Sequence, residues 1–158
     1  MRVFTSYFYQ VRFFLPHMIP ISTALWDPKW FHNNKGHEYY FKDKNGVYNG
    51  FRAEFLKSGP SCAGACKGAK NCNDSPPNCA YLLQYREQLN SLDFDDVYAR
   101  LTTIAEAIKR AEGFEEEPMV VLLVYETPDI LCSERGALHS WFKERGHPIE
   151  ELEYPIRL

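Results

Sequence analysis

Six consecutive apolar residues, Met119-Val120-Val121-Leu122-Leu123-Val124, constrain this chain more than any other stretch. Pro118 closes the run on one side and Thr127-Pro128 on the other. An unbroken run this short reads as a strand buried on both faces, the pattern of a parallel sheet's interior. A turn follows, Asp129-Ile130-Leu131-Cys132-Ser133-Glu134-Arg135-Gly136, and then a helical pattern over 137–145. Strand, short turn and helix form the unit in which α/β proteins place ligand sites, at the carboxyl ends of their strands. Glu126 stands at that end, and Cys132 and Arg135 stand where the helix begins.

The rest of the chain supplies the elements such a strand needs. Residues 2–9 are rich in β-branched and aromatic types and read as a first strand, with Thr5 and Ser6 near its end. Residues 18–25 read as a second, which Pro20 assigns to an early or edge position because proline cannot donate a ladder hydrogen bond. Asp27-Pro28 turns the chain sharply and leaves Trp26 and Trp30 near a strand end. Asn45-Gly46 signals a tight turn, so residues 41–48 read as a small hairpin, with a lid as the competing reading. Two helices follow, over 81–89 and then from a cap at Asp93 to Gly113, the second carrying Phe94, Val97, Leu101, Ile104 and Ile108 at intervals of three and four. Residues 151–158 close the chain as a strand that Pro155 places at an edge. Strands alternating with helices predict a single three-layer, Rossmann-like α/β domain over residues 1–158 with a largely parallel sheet.

Residues 33–79 interrupt this pattern as an insertion. Its loop, 58–79, has no periodicity and holds Cys62, Cys66, Cys72 and Cys79, spaced C-x3-C-x5-C-x6-C. Four cysteines in so short an irregular stretch suit a four-thiolate zinc site, an iron–sulfur cluster, two disulfides, or ordinary thiols. Zinc is favoured over a cluster because four thiolates match its tetrahedral preference, and over disulfides because nothing suggests export. Net charge is −3, which announces no nucleic-acid or membrane surface, although a basic groove can hide in a balanced total. The start, Met1-Arg2-Val3-Phe4, lacks an export signal's apolar core, and no run reaches transmembrane length, so a cytoplasmic protein is expected.

The chain resembles the bacterial, archaeal and phage family catalogued as domain of unknown function 488. The residues that carry the resemblance are Thr5-Ser6-Tyr7-Phe8, Pro20-Ile21-Ser22 with Trp26, and Leu123-Val124-Tyr125-Glu126 followed by Cys132-Ser133-Glu134-Arg135. The family's pattern implies an acidic residue ending a buried strand, then Cys-His-Arg opening a helix. Glu126 and Cys132 match it, Ser133 stands where the histidine is expected, and Arg135 falls one place late. The resemblance covers most of the chain, with the cysteine loop as a subgroup feature.

The residues suggest chemistry of their own. Helix N-termini favour a thiolate and bind anions, so Cys132, Ser133 and Arg135 read as a nucleophile beside an anion site, with Glu126 as proton carrier. The plain alternative is a small buried cysteine beside a structural Glu126–Arg135 ion pair. His139, one turn on, is a further candidate to orient the carboxylate. Ser6, Tyr7 and Trp26 at neighbouring strand ends are candidate ligand contacts, the aromatics by stacking on a planar group. Two function classes follow. One is an enzyme acting on a nucleotide, a nucleic-acid base or a similar phosphorylated or planar ligand. The other is a non-catalytic anion- or nucleic-acid-binding module whose cysteine loop is braced by metal.

Overall fold

The structure is a computed structural model that describes residues 1–29, 31, 41–42, 48–49, 51–59 and 79–153. Its centre is the apolar run: β6 (Met119–Val124) is buried at all six positions. It lies in the middle of a five-stranded, all-parallel sheet whose other members are β1 (Arg2–Tyr7), β2 (Met18–Ser22), β5 (Phe51–Arg52) and β7 (Glu150–Glu151). The order across the sheet is β5-β2-β6-β1-β7. A separate antiparallel pair, β3 (Phe41–Lys42) and β4 (Tyr48–Asn49), matches the hairpin reading in its strands, while the Asn45-Gly46 turn lies outside the described residues.

The expected α/β, Rossmann-like architecture is present. Alternate residues of the strands feed two cores. Ile21, Leu122 and Val120 face one side and meet α1 (Ala80–Asn90), α2 (Phe94–Glu112) and α3 (Glu134–Glu144) through Tyr85, Leu101 and Trp141. Phe4, Val121 and Leu123 face the other side and meet Phe8, Val11 and Phe31. That second layer is built on a 3₁₀ segment, Phe8–Phe13, which carries the chain leftward from β1 to β2. The helices carry it rightward, from β5 to β6 and from β6 to β7. Opposite directions on opposite faces are what a single crossover handedness requires.

The sequence predicts both ends of α2. Asp93 Oδ1 accepts from Asp96 N at 3.2 Å, and Gly113 takes the left-handed conformation (φ 73°) that releases the chain from the helix. Two expectations need correction. Pro20 does not put β2 at an edge, since β2 is flanked by both β5 and β6. Thr23 N donates to Leu123 O on the β6 side, whereas Ser22 O accepts from Ala53 N on the other, so Pro20 turns its nitrogen towards β5. The β5 register begins only opposite Ile21, and no ladder bond is lost. Helix α3 starts at Glu134 and not near 137, because Ser133 caps it. That shift brings Glu134 and Arg135 into the first turn. The closing strand does form an edge but spans only Glu150–Glu151, with 152–153 outside it, instead of running on from 151; residues 154–158 lie outside the described part. Among the described residues no helix is long and apolar enough to cross a membrane.

Candidate functional site

At the carboxyl ends of β2 and β6 lies a cleft of about 390 Å³. Ala24, Leu25 and Trp26 line it after β2, Tyr125 and Glu126 after β6, and Ser58, Tyr81 and Glu134 form its inner wall. Trp26 is 74% exposed and Tyr125 is also exposed. The loop that presents Trp26 is tied down from both sides: Ser22 Oγ donates to Asp27, and Arg52 pairs with Asp27 at 2.8 Å while donating to Leu25 O. A larger cleft, about 470 Å³, lies against Met1–Phe4 and residues 146–150, but its lining carboxylate, Glu150, is exposed.

Glu134 is the chemically unusual group. It is 6% exposed, yet no cation pairs with it among the described residues. Three hydroxyls surround it instead. Ser58 Oγ donates to Oε1 at 2.9 Å, Tyr81 OH donates to the same oxygen, and Thr23 Oγ1 stands 3.3 Å from Oε2. The third contact is informative. Thr23 has a single hydroxyl proton, and Leu123 O lies closer to it, at 2.9 Å. A proton on Glu134 Oε2, donated to Thr23, then satisfies every group in the cluster. Burial independently pushes the Glu134 carboxyl up to about 7, with neighbouring Glu126 adding to the rise against the lowering effect of the Tyr81 and Ser58 bonds. Burial and Glu134 also push the Tyr81 phenol up, which keeps it a donor.

Each wall has its own support. Helix α1 clasps the segment carrying Ser58, since Tyr85 OH donates to Leu56 O, Gln88 Nε2 to Lys57 O, and Gly59 N to Gln88 Oε1 at 3.0 Å. Tyr81 stands in the first turn of that helix. Glu134 and Tyr81 thus meet because α1 and α3 pack side by side on the sheet, a join reinforced by Arg86–Glu144 at 2.6 Å.

The sequence-derived candidates separate into groups. Glu126 lies in the cleft and accepts from Ser133 Oγ at 3.1 Å. Ser133 Oγ also accepts from Arg135 N at 3.3 Å, so one amide of the helix end expected to take an external anion is capped by the chain itself. Arg135 points the other way: Nη2 donates to Glu126 O at 2.7 Å, Nη1 to Thr127 O at 3.3 Å and Nε to Glu151 at 2.7 Å. Glu151 in turn accepts from Thr5 Oγ1 at 2.6 Å, and Thr5 lies 2.6 Å from His139 Nε2. Since Thr5 gives its proton to a carboxylate, His139 Nε2 must be the donor to Thr5. Burial pushes the His139 imidazole down, in keeping with that neutral tautomer. The expected Glu126–Arg135 contact therefore runs through a backbone carbonyl, and His139 serves Glu151.

Ser6 shares its row with Leu123 and Ser22, so it faces the 3₁₀ layer, across the sheet from Glu134. Its buried hydroxyl has no hydrogen-bond partner among the described residues. Tyr7 OH accepts from Gln10 Nε2 at 2.7 Å and does not line the cleft. Cys132 is half-buried, with Sγ 3.2 Å from Cys79 Sγ. Of the four candidate metal ligands only Cys79 is described; Cys62, Cys66 and Cys72, like Trp30, lie outside the described residues.

Glu134 was the residue that sequence reasoning passed over. A glutamate following a serine cap is commonplace, since it complements the helix dipole. No local signal marked it, because its hydroxyl partners Thr23, Ser58 and Tyr81 lie far away along the chain. Set beside known proteins, the chain matches no family model, no curated protein and no solved structure.

Proposed function

We propose that this protein is an enzyme that binds a planar, nucleobase-like ligand in the cleft above β2 and β6, with Glu134 exchanging a proton with it. The observation that carries this reading is the Glu134 cradle: a buried carboxyl, held by three hydroxyls, whose proton is poised near neutral pH. A general acid–base works best when its pKa lies near the working pH. A second carboxyl, Glu126, lines the same cleft and accepts from Ser133 Oγ. Trp26 and Tyr125 supply aromatic faces on which a base can stack. Among the described residues the lining holds no lysine or arginine, which favours the base over a phosphate as the recognised group.

Calorimetric titration with a panel of nucleobases and nucleosides, in buffers of different ionisation enthalpy at pH 7, tests this. The expected result is binding accompanied by proton uptake or release, with the proton linkage absent in Glu134→Gln. Binding without proton linkage would assign the cleft to a non-catalytic module. No binding across the panel would remove the ligand class.

A further inference from the structure

We propose that Cys79 and Cys132 form a dithiol–disulfide couple that exchanges with small-molecule disulfides, an activity independent of whatever the neighbouring cleft binds. Their sulfurs lie 3.2 Å apart although 53 residues separate them in the chain. Both residues are half-buried, so a small disulfide can reach them while the surrounding structure holds them in place.

The placement comes from two helix starts that the fold fixes side by side. Cys79 is the N-cap residue of α1, and Cys132 immediately precedes Ser133, the N-cap of α3. Two residues further along each helix, Tyr81 OH donates to Glu134 Oε1, a second contact between the same two segments. The pair of contacts, 79 to 132 and 81 to 134, prevents the helix ends from sliding past each other. Closing the sulfurs from 3.2 Å to a bond of about 2.05 Å therefore asks for a shift of only about 1 Å.

The exchange balances without any other reactant. One cysteine thiolate attacks a sulfur of RS–SR, giving a mixed disulfide and releasing RS⁻, which takes up the proton the cysteine lost. The second thiolate attacks the protein sulfur of that mixed disulfide, forming the Cys79–Cys132 bond and releasing the other RS⁻, protonated in turn. Two protein thiols are oxidised, and one small disulfide is reduced to two thiols. In a reducing thiol excess the same steps run backwards. The short contact favours the second step over accumulation of the mixed disulfide, because the resolving sulfur is already in place.

The test equilibrates the whole chain in glutathione buffers of varied oxidised-to-reduced ratio, quenches in acid, alkylates and maps the peptides by mass spectrometry. The expected result is a peptide joined through Cys79 and Cys132 whose yield rises with the ratio and reverses on reduction. In Cys79→Ser and Cys132→Ser, each first checked for a native circular dichroism spectrum, the remaining cysteine should stop at the glutathione mixed disulfide. The wild-type map stands even where a variant fails to fold. Finding Cys79 or Cys132 joined to Cys62, Cys66 or Cys72, or finding both still thiols in the most oxidising buffer, would overturn the proposal.

Discussion

Glu134 and Arg135 are consecutive in the first turn of α3, yet they anchor buried polar clusters on opposite sides of that turn. The Arg135 side is closed: a guanidinium meets a carboxylate and two carbonyls, and Thr5 and His139 complete a chain of donors around Glu151. Charge is balanced there. The Glu134 side has hydroxyls but no cation among the described residues, and it opens on a cleft. A buried carboxyl without a counter-charge keeps its proton to higher pH, and burial does this to Glu134. The two glutamates, Glu134 in α3 and Glu151 on β7, thus differ in whether a cation faces them among the described residues.

The comparison breaks first if the Arg135 cluster is not structural. Arg135→Ala strips three acceptors of their donor and leaves Glu151, whose Oε1 already has no hydrogen-bond partner among the described residues, without its cation. Removing one partner of such a pair is expected to destabilise by about 3–5 kcal/mol. Urea unfolding measures it, and Arg135→Lys should restore little, since a single ammonium cannot reach three acceptors in a fork. A loss below about 1 kcal/mol would show that the two clusters do not differ in the way described.

Leu122 lies between the two sides, in register with Thr5 on one flank and Ile21 on the other, and is fully buried. Leu122→Ala should cost about 2–5 kcal/mol. It should also raise hydrogen exchange in β1 and β2 alike. Loss of protection confined to one flank would mean that the clusters are not supported by a common core.

Much of that core was legible in the sequence. The run at 119–124, the intervals of α2 and its two caps are local patterns, fixed by alternation, helical spacing and side chains within a few residues of each other. Pro20 misled because its cost depends on where the neighbouring strand begins, which no local pattern records. The Glu134 cradle was hidden for a similar reason. Its hydroxyls come from Thr23, Ser58 and Tyr81, which lie 111, 76 and 53 residues away. Each is unremarked in its own segment, and only the packing of α1 against α3 brings them together. Arg135 and Cys132 were singled out as chemistry by position alone, and position could not say which way each side chain would turn.

A smaller effect tests the proton directly. The folded state raises Glu134 from 4.5 to about 7, so between those values the folded chain holds a proton that the unfolded chain has released. Stability therefore falls as pH rises through that window, and the full penalty, about 3 kcal/mol at about 1.4 kcal/mol per unit, persists above it. Glutamine copies the protonated acid: its oxygen can accept from Ser58 and Tyr81, and its amide can donate to Thr23. Glu134→Gln is thus expected to match the wild type near pH 4 and to exceed its stability at pH 8 by up to about 3 kcal/mol. Equal stability at both pH values would place the Glu134 proton elsewhere.

The smallest expected change in stability belongs to Trp26, and it separates the cleft from the scaffold most cleanly. A tryptophan that is 74% exposed contributes little burial to the fold, so Trp26→Ala should shift stability by no more than about 0.5 kcal/mol. Its position is nevertheless held, because Arg52 and Ser22 both grip Asp27 beside it and Arg52 also holds Leu25 O. A large aromatic face kept in water by a loop under restraint is suited to stacking on something that arrives. Replacing it should then weaken binding of a planar base by about 1–3 kcal/mol, roughly 5- to 150-fold, while leaving the pH dependence set by Glu134 in place. Thermal unfolding and ligand titration on the same sample decide the matter. A variant that loses several degrees in Tm would make Trp26 part of the packing, and one that binds as well as the wild type would leave Tyr125 as the aromatic wall that matters.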